Sequence, residues 1–251
     1  MTRIILNGCN GRMGKVVTGL VEKDPDCQIV AGADVMGGQA SYPIYKSITD
    51  CKEGADVMID FSLATGVDAV LQYAVDRGIP LVLCTTGLTP EQNDRVCKAS
   101  EKVAILKSAN MSVGINLLIK VLSQVSPILA EAGFDIEIVE KHHNQKKDAP
   151  SGTAIALADA INGALDEEYS YVYGRSDRME ARPRKEIGVS AVRGGTIPGD
   201  HEVIFAGEDE VISLSHRAYS RAIFGKGALS AAKYLKGKGP GFYSMADVLN
   251  S

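Results

Sequence analysis

The residues from 140 to 154, EKHHNQKKDAPSGTA, combine groups that transfer protons with groups that bind anions. Two of the four histidines in the chain, His142 and His143, are adjacent here, and Lys146 and Lys147 follow shortly after. Histidine, with an unperturbed pKa of about 6.5, gives or takes a proton near neutral pH, and lysine supplies a positive charge. This spacing predicts a site where an acidic small molecule is bound and a proton is moved.

The same run continues into the start of a helix, DAPSGTAIALADAI. Asp148 or Ser151 can cap this helix, and Gly152 keeps its first turn uncrowded. Because amides at a helix N-terminus favour an anion, we expect a substrate carboxylate to bind the Gly152 and Thr153 amides and the Thr153 hydroxyl. The alternative is a basic exposed loop before an ordinary capped helix. Two histidines without a clear third ligand do not indicate a metal site, and we expect none.

A second candidate site is the glycine-rich loop NGCNGRMG, which follows the apolar run RIILN. Gly8, Gly11 and Gly14 lie three residues apart, so the loop can turn tightly and approach a pyrophosphate bound by the next helix. This spacing departs from G-x-G-x-x-G, and the glycines alone could simply ease a strand-to-helix turn. Asp34 follows 20 residues after Gly14, where a carboxylate holds an adenosine ribose. Together these features predict a nicotinamide dinucleotide.

The residues around Asp34 also bear on which dinucleotide is used. The 2′-phosphate of NADPH needs a neighbouring cation, whereas Val35 follows Asp34 and Leu63 follows the DFS segment. Asp34 repels a phosphate but accepts hydrogen bonds from a free ribose. We therefore expect NADH to be used at least as well as NADPH, with Arg12 and Lys15 as the alternative source of charge for NADPH.

Alternating patterns in the first hundred residues predict the element order that positions the glycine loop. Short apolar runs alternate with helical segments, which is typical of βαβ units and a parallel sheet. We expect strands at 3–7, 27–34, 55–62, 80–87 and 103–110.

From residue 112 the pattern changes. A long helix is predicted over 112–133, and the following strands alternate apolar and polar residues at period two, which is typical of antiparallel pairing. These strands are expected at 134–143, 186–195, 199–209 and 209–220, with a solvated mobile loop at 173–186. Residues 221–251 return to helix.

The predicted fold is therefore of the α/β class, with two domains. An N-terminal Rossmann-like parallel sheet with helices on both faces is followed by a C-terminal α+β domain with a mixed or antiparallel sheet. We expect residues 1–111 and 221–251 to form the dinucleotide-binding domain and residues 112–220 to form the substrate-binding domain.

Composition disfavours several other classes of protein. The chain has 251 residues, 45% hydrophobic and 23% charged, with a net charge of −4 and a pI near 5.6, so nucleic acid is not an expected partner. We expect no membrane span and no signal peptide in MTRIILNG. The five cysteines lack a C-x-x-C pair and are expected to be reduced thiols of a cytoplasmic protein.

The run E-x-H-H-N-x-K-x-D-A-P-S-G-T-A over residues 140–154 closely resembles the signature of the 4-hydroxy-tetrahydrodipicolinate reductase family, formerly called dihydrodipicolinate reductase. The resemblance continues through GCNGRMG, IDFS, CTTG, SANMSVGIN and VRGGTIPGDH, and so covers nearly the whole chain. It implies an NADH- or NADPH-dependent oxidoreductase of lysine and diaminopimelate biosynthesis. In this family a hydride goes to C4 of a cyclic imine dicarboxylate with loss of water, which converts 4-hydroxy-tetrahydrodipicolinate to tetrahydrodipicolinate.

The resemblance also implies roles for individual residues. His142 and Lys146 become the catalytic acid–base candidates, and which of them donates the proton stays open. The substrate would be bound by His143, Gly152 and Thr153. The dinucleotide would be bound by Gly8, Cys9, Asn10, Gly11, Arg12, Met13, Asp34, Cys84, Thr85, Thr86, Ser108, Ala109, Asn110 and Met111.

The family is generally a homotetramer assembled through the sheet of the second domain, and closure of its two domains brings cofactor and substrate together. Many relatives carry arginine where Val35 and Leu63 stand here, which puts their dual use of NADPH in doubt for this chain. Cys84 replaces the first glycine of the GTTG loop, which we expect to be tolerated if the thiol points into the core.

Two other functions stay open from the residues. One is an NAD-dependent dehydrogenase of another amino-acid-like substrate, such as aspartate, although nothing in that reaction demands the run over 140–154. The other is a non-catalytic NAD-sensing protein, although a sensor has no need of proton-donating groups.

Overall fold

The computed structural model describes every residue from 1 to 251, and the chain divides into two compact units. The first unit comprises Met1–Ser112 and Arg221–Ser251, and the second comprises Val113–Ser220. In chain order, the strands of the first unit are β1 (Thr2–Asn7), β2 (Cys27–Ala33), β3 (Ile44–Tyr45), β4 (Val57–Asp60), β5 (Leu81–Leu83), β6 (Ala104–Leu106) and β12 (Gly241–Tyr243). They form one parallel sheet in the order β12-β6-β5-β4-β1-β2-β3.

Helices cover both faces of this sheet because its strands are apolar on both sides. The helices of the first unit are α1 (Arg12–Val21), α2 (Val67–Arg77), α3 (Pro90–Ser100), α6 (Ala222–Leu235) and α7 (Met245–Leu249). Ile4 and Leu6 of β1 pack in one core cluster with residues of α1 and α6. Ile5 packs on the opposite face with residues of α2 and α3. The predicted Rossmann-like sheet is confirmed.

The ends of two helices follow from local sequence. α3 begins with a capping box, in which the Thr89 hydroxyl accepts the Gln92 N–H at 3.2 Å and Gln92 Oε1 accepts the Thr89 N–H at 2.9 Å. α2 ends at Gly78, whose φ of +58° is the left-handed conformation that glycine adopts at a helix C-terminus. α2 begins at Val67, after a short 3₁₀ turn over Ala64–Gly66.

The second unit contains a mixed sheet of five strands. They are β7 (Asp135–His142), β8 (Ser170–Val172), β9 (Glu186–Arg193), β10 (Gly199–Ala206) and β11 (Val211–Ala218), in the order β11-β10-β7-β9-β8. β10 pairs antiparallel with β7 and β11, whereas β9 pairs parallel with β7 and β8. The predicted α+β unit is confirmed.

Two helices, α4 (Val113–Glu131) and α5 (Gly152–Asn162), cover one face of this sheet. The period-two pattern of β7 places Ile136 and Ile138 in the core beneath them, and Glu140 and His142 continue along the same face. Asp135, Glu137, Val139 and Lys141 alternate with these residues and are only partly buried.

α4, with 19 residues, is long and apolar enough by composition to cross a membrane, although polar residues interrupt its apolar positions, as the sequence indicated. Leu118 and Leu122 are nevertheless buried in the core of the second unit, which is how a core helix of this composition satisfies its apolar face.

Arginine side chains connect the segment 173–186 to the sheet, although most of its residues are exposed, as expected of a solvated loop. Arg175 donates to both carboxylate oxygens of Glu137, at 3.0 and 2.8 Å, and Arg178 pairs with Glu186. Arg182 donates to Glu137 at 2.9 Å and to Asp135 at 2.7 Å. Three of its four arginines, Arg175, Arg178 and Arg182, therefore pair with acidic residues of β7 and β9.

Candidate active site

The loop between β1 and α1 is packed as tightly as its glycines allow. Gly8 has a φ of +77°, which favours glycine, and its N–H donates to the Ala33 carbonyl at 2.8 Å. A Cβ at Gly14 would lie 2.2 Å from the Gly8 carbonyl oxygen, so no side chain fits between α1 and the loop. Loop geometry therefore requires both glycines.

This loop leads into the N-terminus of α1, which is suited to an anion. Gly11 is the N-cap, no side chain caps the helix, and the first turn contains no acidic residue. Arg12 and Met13 begin the helix, and Arg12 and Lys15 are exposed. The positive end of the helix and these cations fit a pyrophosphate. The Cys9 thiol belongs to the core instead, where burial raises its pKa to about 11.

Asp34, at the end of β2, organises the same loop. One of its carboxylate oxygens accepts the Asn10 N–H at 3.0 Å, and the other accepts the Met36 N–H at 3.0 Å. The Asn10 side chain donates in turn to the Gly37 carbonyl. Each carboxylate oxygen has further lone pairs, so Asp34 fits the predicted role of accepting ribose hydroxyls as well.

Around Asp34, the structure adds a cation that the sequence analysis missed. Val35 is 81% exposed and brings no charge to this position. Lys46 follows the short strand β3, and its side chain lies beside Gly37, 3.6 Å from the position of a Cβ there. Because β3 pairs with β2, residues far apart in sequence meet at this end of the sheet.

Asp60, at the end of β4, is fully buried. Its carboxylate accepts hydrogen bonds from the Asn7 side chain at 2.7 Å and from the Thr85 hydroxyl at 2.5 Å. Burial raises the pKa of Asp60, and these hydrogen bonds oppose that shift. The carboxylate thus links the ends of three adjacent strands, β1, β4 and β5, on the side where open α/β sheets bind ligands. Thr85 was expected at this end of the sheet from the sequence, whereas Asp60 was not.

The other predicted dinucleotide residues follow β5 and β6. Cys84 packs against the core as expected, and burial raises the pKa of its thiol well above the usual value. The Ser108 hydroxyl accepts the N–H of Met245 at 2.7 Å, and Met111 is buried. The Asn110 side chain accepts the N–H of Ser112 at 2.8 Å, and Thr86 and Ala109 are exposed.

In the second unit, His142 is part of a buried hydrogen-bonded cluster. Its Nδ1 lies 2.5 Å from Glu140 Oε2, and Glu140 is fully buried. Arg193 of β9 donates to both oxygens of Glu140, at 2.8 and 2.7 Å. Although burial raises the pKa of Glu140, the hydrogen bonds from Arg193 and His142 outweigh it and hold the pKa below its usual value. Burial lowers the pKa of His142, and Glu140 opposes that shift.

The same carboxylate contacts the start of α5. Glu140 Oε1 accepts the Ser151 N–H at 2.9 Å, and the Ser151 hydroxyl caps the helix by accepting the Ala154 N–H at 3.2 Å. The Ser151 hydroxyl also lies 3.1 Å from Nε2 of the buried His201. Ser151, not Asp148, is therefore the N-cap, and proton-transfer and anion-binding groups share one network.

Lys146 is placed beside this helix start by a tight turn and an ion pair. Its N–H donates to the His143 carbonyl at 3.1 Å, and its ammonium lies 2.8 Å from both carboxylate oxygens of Asp148. Lys146 lowers the pKa of Asp148 through this hydrogen bond. The first turn of α5, which contains Gly152 and Thr153, carries no acidic residue, and the positive end of the helix favours an anion.

Gly152 has no structural reason to be glycine. A Cβ built there meets no other atom within 4 Å, and the backbone does not have a positive φ. A glycine here leaves open space beside the helix start, as Gly19 also does in α1. The predicted role of Gly152 in substrate binding is consistent with this observation.

Two family models match consecutive parts of the chain. The model of dihydrodipicolinate reductase, N-terminus, matches residues 2–111, and that of dihydrodipicolinate reductase, C-terminus, matches residues 114–249. The chain belongs to the dihydrodipicolinate reductase family. It is 52% identical over 249 residues to the 4-hydroxy-tetrahydrodipicolinate reductase of Caldanaerobacter subterraneus subsp. tengcongensis, which covers 99% of this chain and 98% of that protein. The Clostridium novyi reductase is 47% identical over 252 residues, covering 100% and 99%.

The chain is also similar in structure to a solved member of this family. The dipicolinate-bound dihydrodipicolinate reductase from Paenisporosarcina sp. TG-14 is similar with a TM-score of 0.77 and 25% identity, over 97% of each chain. A probable dehydrogenase from Thermotoga maritima, at a TM-score of 0.65 and 13% identity over 98% of this chain and 92% of that one, shares the fold alone. Family membership makes the chain an oxidoreductase whose first unit binds a pyridine nucleotide, as the sequence resemblance implied.

Proposed function

We propose that this chain reduces 4-hydroxy-tetrahydrodipicolinate to tetrahydrodipicolinate and water, with NADH or NADPH, in lysine and diaminopimelate biosynthesis. The observation that carries the proposal is the cluster from Glu140 to Ala154, in which Glu140 joins His142 to the start of α5 and Lys146 pairs with Asp148. Neither another amino-acid dehydrogenase nor an NAD sensor accounts for this cluster. Relatives that carry the reductase name also match over the full chain.

The substrate is a dicarboxylate, and the second unit offers groups suited to a carboxylate. We assign the first-turn amides of α5 at Gly152 and Thr153 to one carboxylate, with Lys146 and His143 beside it. The related Paenisporosarcina enzyme binds dipicolinate, which is itself a cyclic dicarboxylate, and this binding supports the assignment.

Lys146 is the proton donor in this proposal. Loss of water from C4 and reduction of the ring consume one hydride and one proton overall, so the site needs a group that is charged at neutral pH. Lys146 is ion-paired with Asp148, whereas burial lowers the pKa of His142. Neutral His142 accepts a proton from the ring carbon next to C4 as the C4–O bond breaks, and Lys146 protonates the departing hydroxyl so that it leaves as water. After hydride addition to C4, the protonated His142 returns its proton to that neighbouring carbon.

The bound nicotinamide supplies the hydride. The residues of the first unit fit a dinucleotide, because Gly8 and Gly14 bring the loop against α1 and Asp34 stands at the end of β2. We propose that NADH is used at least as well as NADPH, and that Lys46 gives NADPH its remaining affinity. A homotetramer and a cytoplasmic location are further parts of the proposal.

A coupled assay tests the proposed function. Pyruvate and aspartate semialdehyde, with the preceding synthase, generate the cyclic imine in place, and the absorbance of reduced nicotinamide is followed with NADH and NADPH separately. We expect oxidation that depends on both this protein and the synthase. Binding of both cofactors without turnover would favour the sensor instead.

A further inference from the structure

We propose that Glu140, held by Arg193, is a positioning residue that fixes the proton of neutral His142 on Nδ1 and so presents the lone pair of Nε2 to the substrate. The inference rests on the proposed function, because it concerns how His142 accepts a proton in that reaction. Glu140 itself touches no substrate in this account and acts through His142.

The hydrogen bonds around Glu140 fix their own directions. Arg193 donates to both of its oxygens, at 2.8 and 2.7 Å, and the Ser151 N–H donates to Oε1 at 2.9 Å. A guanidinium and a backbone amide can only donate, so the carboxylate is stabilised in its ionised, accepting form. His142 Nδ1, which lies 2.5 Å from Oε2, must therefore be the donor.

A neutral imidazole carries one proton, so a proton on Nδ1 leaves Nε2 with a lone pair. Gly199 leaves room beside this nitrogen, since a Cβ there would lie 3.0 Å from Nε2. His142 is 8% exposed and its ring stacks edge-on with His201 at 5.1 Å between centroids, so packing also restricts its rotation. The orientation of His142 is thus set from two sides.

Glu140 also ties this imidazole to the anion-binding turn. The Oε1 atom binds the N–H of Ser151, the residue that caps α5, while Oε2 binds His142. A movement of either group displaces the other. The side chain of Glu140 therefore fixes the position of the proton acceptor, His142, relative to the proposed carboxylate site at the start of α5.

Glu140→Gln is the substitution that separates this role from simple packing. In one orientation the glutamine NH₂ group takes the place of Oε1, where it would face two donors, the Ser151 N–H and an Arg193 nitrogen. In the other it takes the place of Oε2, where it faces only one Arg193 nitrogen, and this orientation is therefore preferred. The amide N–H is then directed at His142 Nδ1, which must become an acceptor. The proton of His142 moves to Nε2, and the lone pair is lost from the catalytic side.

Long-range ¹⁵N–¹H spectra of the histidine-labelled protein read this proton directly. The chain has four histidines, so a His142→Asn sample assigns the signals. We expect a protonated Nδ1 and an unprotonated Nε2 for His142 in the wild type, and the reverse in Glu140→Gln. A wild-type protein with the proton on Nε2 would overturn the proposal, even if the variant fails to fold.

Kinetics supply the second readout. We expect kcat of Glu140→Gln to fall by about 10²-fold or more, the size of a lost acid–base contribution, with KM changed by less than about threefold because the amide oxygen still accepts Ser151. Glu137→Gln, which removes another arginine-paired carboxylate from β7, is the matched control and should keep both constants. An unchanged kcat in Glu140→Gln despite a reversed tautomer would refute the positioning role. Absence of turnover in the wild type would contradict the proposed function alone, since the tautomer is measured without substrate.

Discussion

Replacement of Gly152 by alanine separates the stability of α5 from its use as a binding site. The added Cβ meets no protein atom within 4 Å, so the structure imposes no steric cost. Alanine also loses less backbone freedom on folding than glycine does, which is worth about 0.5–1 kcal/mol within a helix. We expect the Gly152→Ala protein to fold and to be as stable as the wild type or slightly more stable.

The same methyl group occupies the space that we assign to a substrate carboxylate. If it breaks one hydrogen bond between an amide and the carboxylate, the loss is about 1.5–3 kcal/mol, since hydrogen bonds to charged groups fall in that range. This corresponds to a decrease in kcat/KM of about 10- to 150-fold, carried chiefly by a higher KM. Stability and activity should thus change in opposite directions.

The measurement is steady-state kinetics with the cyclic imine varied, beside thermal unfolding of the same samples. Gly19→Ala is the matched control, because Gly19 lies in α1 and its Cβ also meets nothing within 4 Å. It should raise stability without a change in KM. If Gly152→Ala bound substrate as well as this control does, the assignment of the α5 N-terminus to a carboxylate would be wrong.

Three further predictions concern charged groups. Lys146→Ala should mainly lower kcat, whereas His142→Ala should lower kcat and weaken substrate binding; near wild-type rates in both would remove them from the mechanism. Lys46→Ala should lower kcat/KM for NADPH about fivefold and leave NADH nearly unchanged, as the loss of about 1 kcal/mol of phosphate contact implies; equal effects on both cofactors would argue against contact with the 2′-phosphate. Burial lowers the pKa of His201 to about 4, so the unfolded chain binds its proton more readily between pH about 6.5 and 4. The free energy of unfolding should therefore decrease by up to roughly 3 kcal/mol as the pH is lowered over that range. Unfolding midpoints measure this decrease, and a His201→Gln protein should show a smaller one.

Much of the architecture could be predicted because periodicity is a local property of the sequence. The strands β7, β9, β10 and β11 lie within one to three residues of the bounds predicted from alternation at period two. The short strands β3, β8 and β12, of two or three residues, were missed because so few residues show no period. Their pairing depends on the assembled sheet.

The candidate site was predictable only in part, for the same reason. Alternation along β7 places Glu140 and His142 on one face, but Arg193, which pairs with Glu140, is 53 residues away from it in sequence. Arg193 lies close to Glu140 because β9 pairs in parallel with β7, which places Arg193 opposite His142. Lys46 reaches the loop after Asp34 in a similar way, through the pairing of β3 with β2. Contacts that depend on strand order leave no signal in local spacing.

The arginines of 173–186 show that charge-rich composition predicts exposure but not the ion pairs that a segment forms. A run rich in charge is usually solvated, and composition alone gave no reason to expect otherwise. The acidic residues Asp135 and Glu137 were visible in the alternating pattern of β7, but pairing them with Arg182 required the position of the intervening segment. Charge complementarity between two segments becomes informative only when the fold brings them together.

The fate of the hydride tests the central claim most directly. Reduced nicotinamide carrying deuterium at both C4 positions would be supplied with the cyclic imine generated in place, and the product analysed by mass spectrometry and NMR. We predict one deuterium at C4 of the product ring, together with loss of the oxygen as water. Product that retains the hydroxyl group, or deuterium at any other carbon, would contradict the proposed reduction.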